Sequence, residues 1–190
     1  MASSYVNDLR LNEMATGDAS GSWGDNTNTN LSLIGEALGF GTEGITTNAD
    51  THTSTVADGA TDPVRAMYVK YTGTLDSACT ITIAPNTINR MQFIENGTSG
   101  SQNIIISQGS GANVTIAPGD VKAVYLDGAG SGAAVTDAFA SINIGTTSGG
   151  ATVNGITSKT FGTSSFMIGD TTTGTIDAAD NNTGLGVDVF

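Results

Sequence analysis

The alternation of apolar and polar residues is clearest between residues 64 and 126. Cys79-Thr-Ile-Thr-Ile83 sets Cys79, Ile81 and Ile83 on one side and the threonines on the other, the period-two pattern of a half-buried strand. Met67–Thr72, Arg90–Glu95, Asn103–Gln108, Val114–Ile116 and Val121–Leu126 also read as strands. Turn chemistry separates them at Asn96-Gly97, Gly109-Ser-Gly111, Pro118-Gly119-Asp120 and Asp127-Gly128. A weaker, Thr-rich strand lies between Ile45 and Val56 and ends at the Asp58-Gly59 turn. Short strands at this spacing predict a small antiparallel β-sandwich or barrel-like domain over residues 45–138.

The flanks follow other patterns. Residues 1–27 hold almost no apolar run and carry Gly17, Gly21 and Gly24, so they read as extended. Leu31, Ile34 and Leu38 then fall at i, i+3 and i+7, one apolar face of a short helix. Asn28 or Thr29 is the expected side-chain cap, and Gly39 and Gly41 stop the helix. Residues 1–44 are therefore expected as an attachment arm with a short helix. The stretch after Gly128, Ala-Gly-Ser-Gly-Ala-Ala, reads as a flexible linker. From 139 to 190 the chain is Gly/Thr-rich: Ser141–Thr147 recurs loosely as Phe166–Thr172, and Asn154-Gly155 is a two-residue hairpin signal. This part is expected as an extended β shaft or the start of a repeat region. The whole reads as mainly β.

Composition narrows the function. Gly is high at 26, Pro is only 3, and charged residues are 13% of 190, about half the usual quarter. Such a chain is neither charge-rich nor Pro-rich, as disordered chains are. It fits a turn-rich β protein with a thin core, which favours chains that share a core as an oligomer. A net charge of −12 without any Lys/Arg cluster argues against nucleic acid and against an anionic membrane surface. No apolar run approaches the ~20 residues of a membrane span, so membrane insertion is not expected. The single Cys cannot make an intrachain disulfide or a Cys-based zinc site. The start, Met1–Asp8, has neither the basic nor the apolar region of a signal peptide, so synthesis in a cytoplasm is expected.

Candidate chemistry is sparse. Gly39-Phe-Gly41-Thr-Glu-Gly44 spells G-x-G-x-x-G, but a dinucleotide site needs a strand before it and a helix after it. Here a helix precedes, so the glycines read as a helix stop. His52, the lone His, has only Asp50 near it in sequence; the sharper reading is a shared three-fold metal or anion site, the plainer one a solvated loop. Cys79 sits in an apolar alternation and reads as core. Asp58/Asp62 and Asp177/Asp180 are the closest carboxylate pairs for glycoside hydrolysis, but both lie in Gly/Thr/Asn loops. Asp177–Asn182 is oxygen-rich without the spacing of a calcium loop. The sequons at Asn96, Asn113 and Asn181 are incidental without a secretory route. No catalytic residue, cofactor or metal is therefore assigned.

The lone Trp23 is the residue that most needs explaining. An ordered Trp buries its ring, either under its own helix or against a neighbour; aromatic residues and Arg dominate such anchors. Around it, Asn7, Asp8, Leu9, Arg10, Leu11, Ala15, Thr16, Gly17, Gly21, Trp23, Gly24, Thr27, Asn28, Asn30, Leu31 and Ile34 resemble the N-terminal block of bacteriophage tail-fibre and related virion structural proteins, especially those of marine phages. The ending, Asn181-Asn-Thr-Gly-Leu-Gly-Val-Asp-Val-Phe190, resembles the first unit of the repeat of trimeric phage fibres and trimeric adhesin heads, as if a longer fibre followed. The resemblance implies a non-enzymatic homotrimer, located in the virion, as the virion-proximal part of a tail fibre. Its partners would be further copies of itself, other virion proteins in a tail or head socket, and a host surface receptor. The residues expected at the attachment or oligomer interface are Arg10, Trp23, Asn28, Asn30, Leu31 and Ile34. Alternatives are a head fibre or decoration protein, a glycan-binding adhesin and, least favoured, a depolymerase.

Overall fold

The computed structural model describes residues 3–140 and, beyond them, only four strands. It divides into two compact units, Met1–Ala140 and Ser141–Phe190. In the first unit one helix, α1 (Trp23–Ala37), precedes nine strands: β1 (Phe40–Gly44), β2 (Thr51–Thr55), β3 (Tyr68–Thr72), β4 (Cys79–Ala84), β5 (Asn89–Asn96), β6 (Ile104–Ser107), β7 (Val114–Ile116), β8 (Val121–Asp127) and β9 (Val135–Asp137). The mainly β class with a short helix stands, and the six strands expected between residues 64 and 126 are found within a residue or two at each end. The Thr-rich strand is shorter than expected, and β1 and β9 form where the sequence reads as a helix stop and the end of a linker.

The pairing differs from the expectation. One sheet has the order β1-β3-β5-β8-β9 and the other β2-β4-β6-β7. The chain changes sheet at every step from β1 to β6, so β1, β3 and β5 run parallel in one sheet and β2, β4 and β6 parallel in the other. Only then does it reverse: β7 pairs antiparallel with β6, β8 with β5 and β9 with β8. The domain is thus a stack of parallel two-strand coils closed at one end by an antiparallel cap, not an all-antiparallel sandwich. A parallel pair needs a crossover of a dozen or more residues, and here the strand in the opposite sheet is that crossover.

The core lies between the sheets. Val69, Tyr71, Ile94, Val124 and Leu126 come from the first; Cys79, Ile81, Ile83, Ile104, Ile106, Val114 and Ile116 come from the second, all buried. Alternation explains the division: Cys79, Ile81 and Ile83 are buried while Thr80 and Thr82 are half-buried. Where coils stack, their corners nearly touch. Gly73 (φ 129°) and Gly100 (φ 98°) follow β3 and β5, and a Cβ at either would strike the carbonyl oxygen of the corner below, Ile45 or Leu75. Thr74 and Ser99 bridge these corners in parallel.

Three local expectations are corrected. The helix starts at Trp23, not at a cap on Asn28 or Thr29, and Ser22 makes no side-chain cap bond. The segment after Gly128 is not a free linker: Gly130–Gly132 forms a 3-10 turn and β9 follows it. Residues 1–44, expected as a separate arm, lie in the same compact unit as the β domain and contribute β1 to its sheet.

The second unit contains β10 (Ala151–Val153), β11 (Ile156–Phe161), β12 (Ser165–Gly169) and β13 (Thr183–Gly186) in one sheet. β10 and β11 pair antiparallel with Val153 opposite Ile156, the register that the Asn154-Gly155 signal implies. β12 and β13 run parallel. The expected copy at Ser141–Thr147, the pair Asp177/Asp180, the oxygen-rich Asp177–Asn182 and the final Val187–Phe190 lie outside the described residues.

Candidate functional site

Polar side chains fasten the N-terminal block to its own domain. Asn7 closes a turn, its Oδ1 accepting from the Leu11 N–H at 2.8 Å and its Nδ2 donating to the Leu11 carbonyl at 2.9 Å. The turn holds Arg10 at φ 53°, and Arg10 Nε donates to Asp58 Oδ1 at 2.7 Å. The Arg10 carbonyl accepts from the Gly59 N–H at 2.8 Å. Asn30 grips Asn12 twice, accepting from its N–H and donating to its carbonyl, both at 2.9 Å. Arg10 and Asn30 therefore bind within the chain. Asn28 is exposed on α1, where its carbonyl accepts from the Ser32 hydroxyl.

The other expected residues point outward. α1 buries only Leu33 and Ala37 against the domain. Its apolar stripe faces solvent: Trp23 is 67% exposed, Leu31 61% and Leu38 68%, with Ile34 beside them. The periodic pattern predicts the helix correctly, but the strongest apolar face is not the one that packs on the core. Trp23 is not buried under its own helix.

This stripe continues onto the sheet. Ile34, Ala37 and Leu38 share a groove of ≈ 190 Å³ with Leu9, Met67 and Met91, and Arg65, Arg90 and Gln92 also line it. Beyond it, the outer face of the first sheet carries a row of rings. Phe40 stands opposite Tyr68 with ring centroids 5.6 Å apart, Tyr68 opposite Phe93, and Phe93 meets Phe139 at 6.4 Å. Met91 and Tyr125 are paired on the same face, both partly exposed. The charges on this face are neutralised locally: Lys70 Nζ lies 2.8 Å from Glu95 Oε1, and the Tyr68 hydroxyl donates to Glu95 Oε2 at 2.8 Å. These two hydrogen bonds, Lys70 first, hold the Glu95 carboxyl below its ordinary range. The aromatic row is a site that linear reading does not find, because its members come from β1, β3, β5 and the segment after β9.

The remaining candidates are accounted for by the fold. Gly39 ends the helix, its N–H donating to the Glu36 carbonyl, and Gly41 lies where a Cβ would collide with the Pro63 carbonyl. Asp58 is paired with Arg10 and Asp62 with Arg65 at 2.9 Å, so neither acid of that pair stands free. Cys79 is buried in the core, and burial raises its thiol pKa. His52 Nε2 and the Ser54 hydroxyl both bond to Glu43 Oε1, at 2.6 and 3.0 Å, and the Tyr71 hydroxyl donates to Ser54 at 2.9 Å. The carboxylate, not the imidazole, is the central group, which is not the order of a nucleophile–base–acid relay. No cluster of three metal-ligating side chains occurs among the described residues. No helix among them is long and apolar enough to cross a membrane.

Comparison with protein-family models, with curated proteins and with solved structures gave no match.

Proposed function

We propose that this chain is a non-enzymatic structural protein of a bacteriophage particle, the virion-proximal part of a tail fibre, which associates with copies of itself as a homotrimer and joins the fibre to the particle in support of host adsorption. The observation that carries the assembly reading is the outward stripe Trp23–Leu31–Ile34–Leu38 and its continuation onto the ring row of the first sheet. Contiguous apolar patches of this kind mark interaction sites. With a fully buried aromatic side chain hiding about 150–250 Å², the exposed parts of these residues approach the ~800 Å² per partner of a standard interface.

Charge opposes self-association over most of the surface and so confines it to this face. The chain carries −12, so copies repel one another over most of their surface, whereas this face is close to neutral. The tail-fibre identity and the virion location rest on the N-terminal resemblance. A head fibre or decoration protein would use the same face in the same way.

The deciding experiment replaces Leu31 and Leu38 by Asp together. Neither side chain packs on the core, so far-UV circular dichroism is expected to stay unchanged. Light scattering at micromolar concentration is expected to fall from oligomer to monomer. A wild-type protein that is already monomeric would remove the self-association reading.

A second reading has its own observation. The aromatic row Phe40–Tyr68–Phe93–Phe139 offers flat apolar faces of the kind on which a sugar ring stacks, which suits a receptor-binding adhesin for host surface glycan. Loss of glycan-array signal in Phe93→Ala, with the oligomer intact, would favour it.

A further inference from the structure

We propose that the groove beside α1 is the seat of Trp23 from another copy of this chain, so that each copy gives one indole ring and receives one. Such a contact rests on the self-association reading and names the residues that make it. The groove opens among Leu9, Ile34, Leu38, Met67 and Met91. Arg65 and Gln92 also line it, but each is only 1% exposed, so a guest meets chiefly aliphatic side chains.

Size and chemistry select an aromatic guest. An apolar cavity of about 150 Å³ takes up a benzene ring. At ≈ 190 Å³ the groove has room for the larger, two-ring indole. Methionine side chains adapt to the shape of a guest, and their sulfur atoms make favourable contacts with aromatic rings; this groove has Met67 and Met91. Trp23 is the ring that stands free. It has no ring neighbour among the described residues, whereas Phe40 meets Tyr68 and Phe93 meets Phe139. Trp is also among the residue types that most often anchor an interface by filling a pocket.

Helix geometry rules out the chain's own groove. Trp23 and Ile34 lie about three turns apart, so they project from the same side of α1. A rise of ~1.5 Å per residue separates them by about 17 Å along the axis, farther than an indole side chain reaches. Only the Trp23 of another copy can fill the groove. A homotrimer needs a contact of this kind. Subunits in a ring meet head to tail, through two different patches of the same chain. Trp23 at the start of α1 is one such patch, and the groove at its end is the other.

The test uses the single Trp as its own reporter. Light scattering and Trp emission are recorded over one dilution series of the full chain. As the trimer dissociates, emission is expected to shift to the red and quenching by acrylamide to rise. Trp23→Ala should weaken association about thirtyfold or more, the effect of losing an anchor residue. Met91→Arg, which puts a charge in the groove, should weaken it as much. Both residues are exposed, so far-UV circular dichroism should stay unchanged in both variants. In a mixture of the two, only the Met91→Arg chain carries a Trp. Its emission is expected to shift to the blue, saturably, as the Trp23→Ala chain with its intact groove is added. A chain with both substitutions should cause no shift. Association with unchanged emission and quenching, or no blue shift in the mixture, overturns the seat while leaving self-association in place. A dimer whose emission shifts overturns the ring. A chain that scatters as a monomer at every concentration overturns self-association itself, and the seat with it. Should Met91→Arg fail to fold, the wild-type dilution series still decides.

Discussion

Leu33 and Trp23 sit on one helix and should behave in opposite ways. Leu33 is 2% exposed and Trp23 67%. Leu33→Ala is expected to cost about 2–5 kcal/mol of unfolding free energy, the range for a buried leucine. Trp23→Ala should leave the stability of the dissociated chain within about 0.5 kcal/mol, as for a surface substitution, and weaken association instead. Urea titration followed by circular dichroism, at a concentration where the chain is monomeric, separates the two. The acid behaviour also belongs to this scale. Lys70 and Tyr68 lower the Glu95 pKa, and Lys122 with the Phe139 N–H lowers that of Asp137. A carboxyl depressed in the folded state contributes stability above its ordinary pKa and loses it as pH falls through the folded value. Thermal midpoints should therefore be flat from pH 7 to 5 and decline below about pH 4, where these carboxyls take up protons. Asp137→Asn should remove part of that decline. Arg10 and Asn30 show the limit of reading residues singly. Both were legible as important, but their bonds to Asp58 and Asn12 make them fasteners of the N-terminal block.

The elements explain which parts of the chain resist change. Gly100 and Gly119 both have positive φ, but only at Gly100 would a Cβ strike a backbone carbonyl. Gly119→Ala is expected to cost about 1 kcal/mol from backbone strain alone, and Gly100→Ala clearly more, read as the difference in denaturation midpoint. The two outermost parallel strands, β1 and β2, are edges. Unpaired edges invite addition of another strand, and an inward-pointing charge is one device against it. Glu43 on β1 and His52 on β2 form such a pair between the sheets. Replacing both by Val is expected to promote lengthwise aggregation, visible as a rise in thioflavin fluorescence and in scattering. Strand positions were readable because alternation is local. Their partners were not, because a parallel and an antiparallel strand carry the same alternation when one face is buried. Up to β6, and again between β7 and β8, the gaps between strands are corners that carry the chain from one sheet to the other, whereas those between β6 and β7 and between β8 and β9 do join antiparallel neighbours.

At the scale of the molecule, the exposed large apolar residues of the described first unit gather on α1 and the outer face of the first sheet, in a chain that is acidic as a whole. The 18 acidic and 6 basic residues make most encounters between copies repulsive, and the apolar face is where that repulsion is weakest. Raising ionic strength from about 0.05 M to 0.5 M shortens the screening length severalfold, so self-association should strengthen with salt. Sedimentation velocity at the two salt concentrations measures this directly. An association driven by opposite charges would weaken instead.

The amino-acid sequence alone determined the positions of β3 to β8, the presence of the helix and its glycine stop, and the buried Cys79, because each depends on residues close together along the chain. Tertiary structure decided what those elements do. It made the sheets mixed, joined the arm to the domain, turned the Leu31–Leu38 stripe outward while Leu33 packs inward, and aligned Phe40, Tyr68, Phe93 and Phe139 into one row. The reason is that a helix has two sides and a strand two faces. Local pattern fixes which residues share a side, and only the packing of distant segments fixes which side meets the core and which is left for a partner.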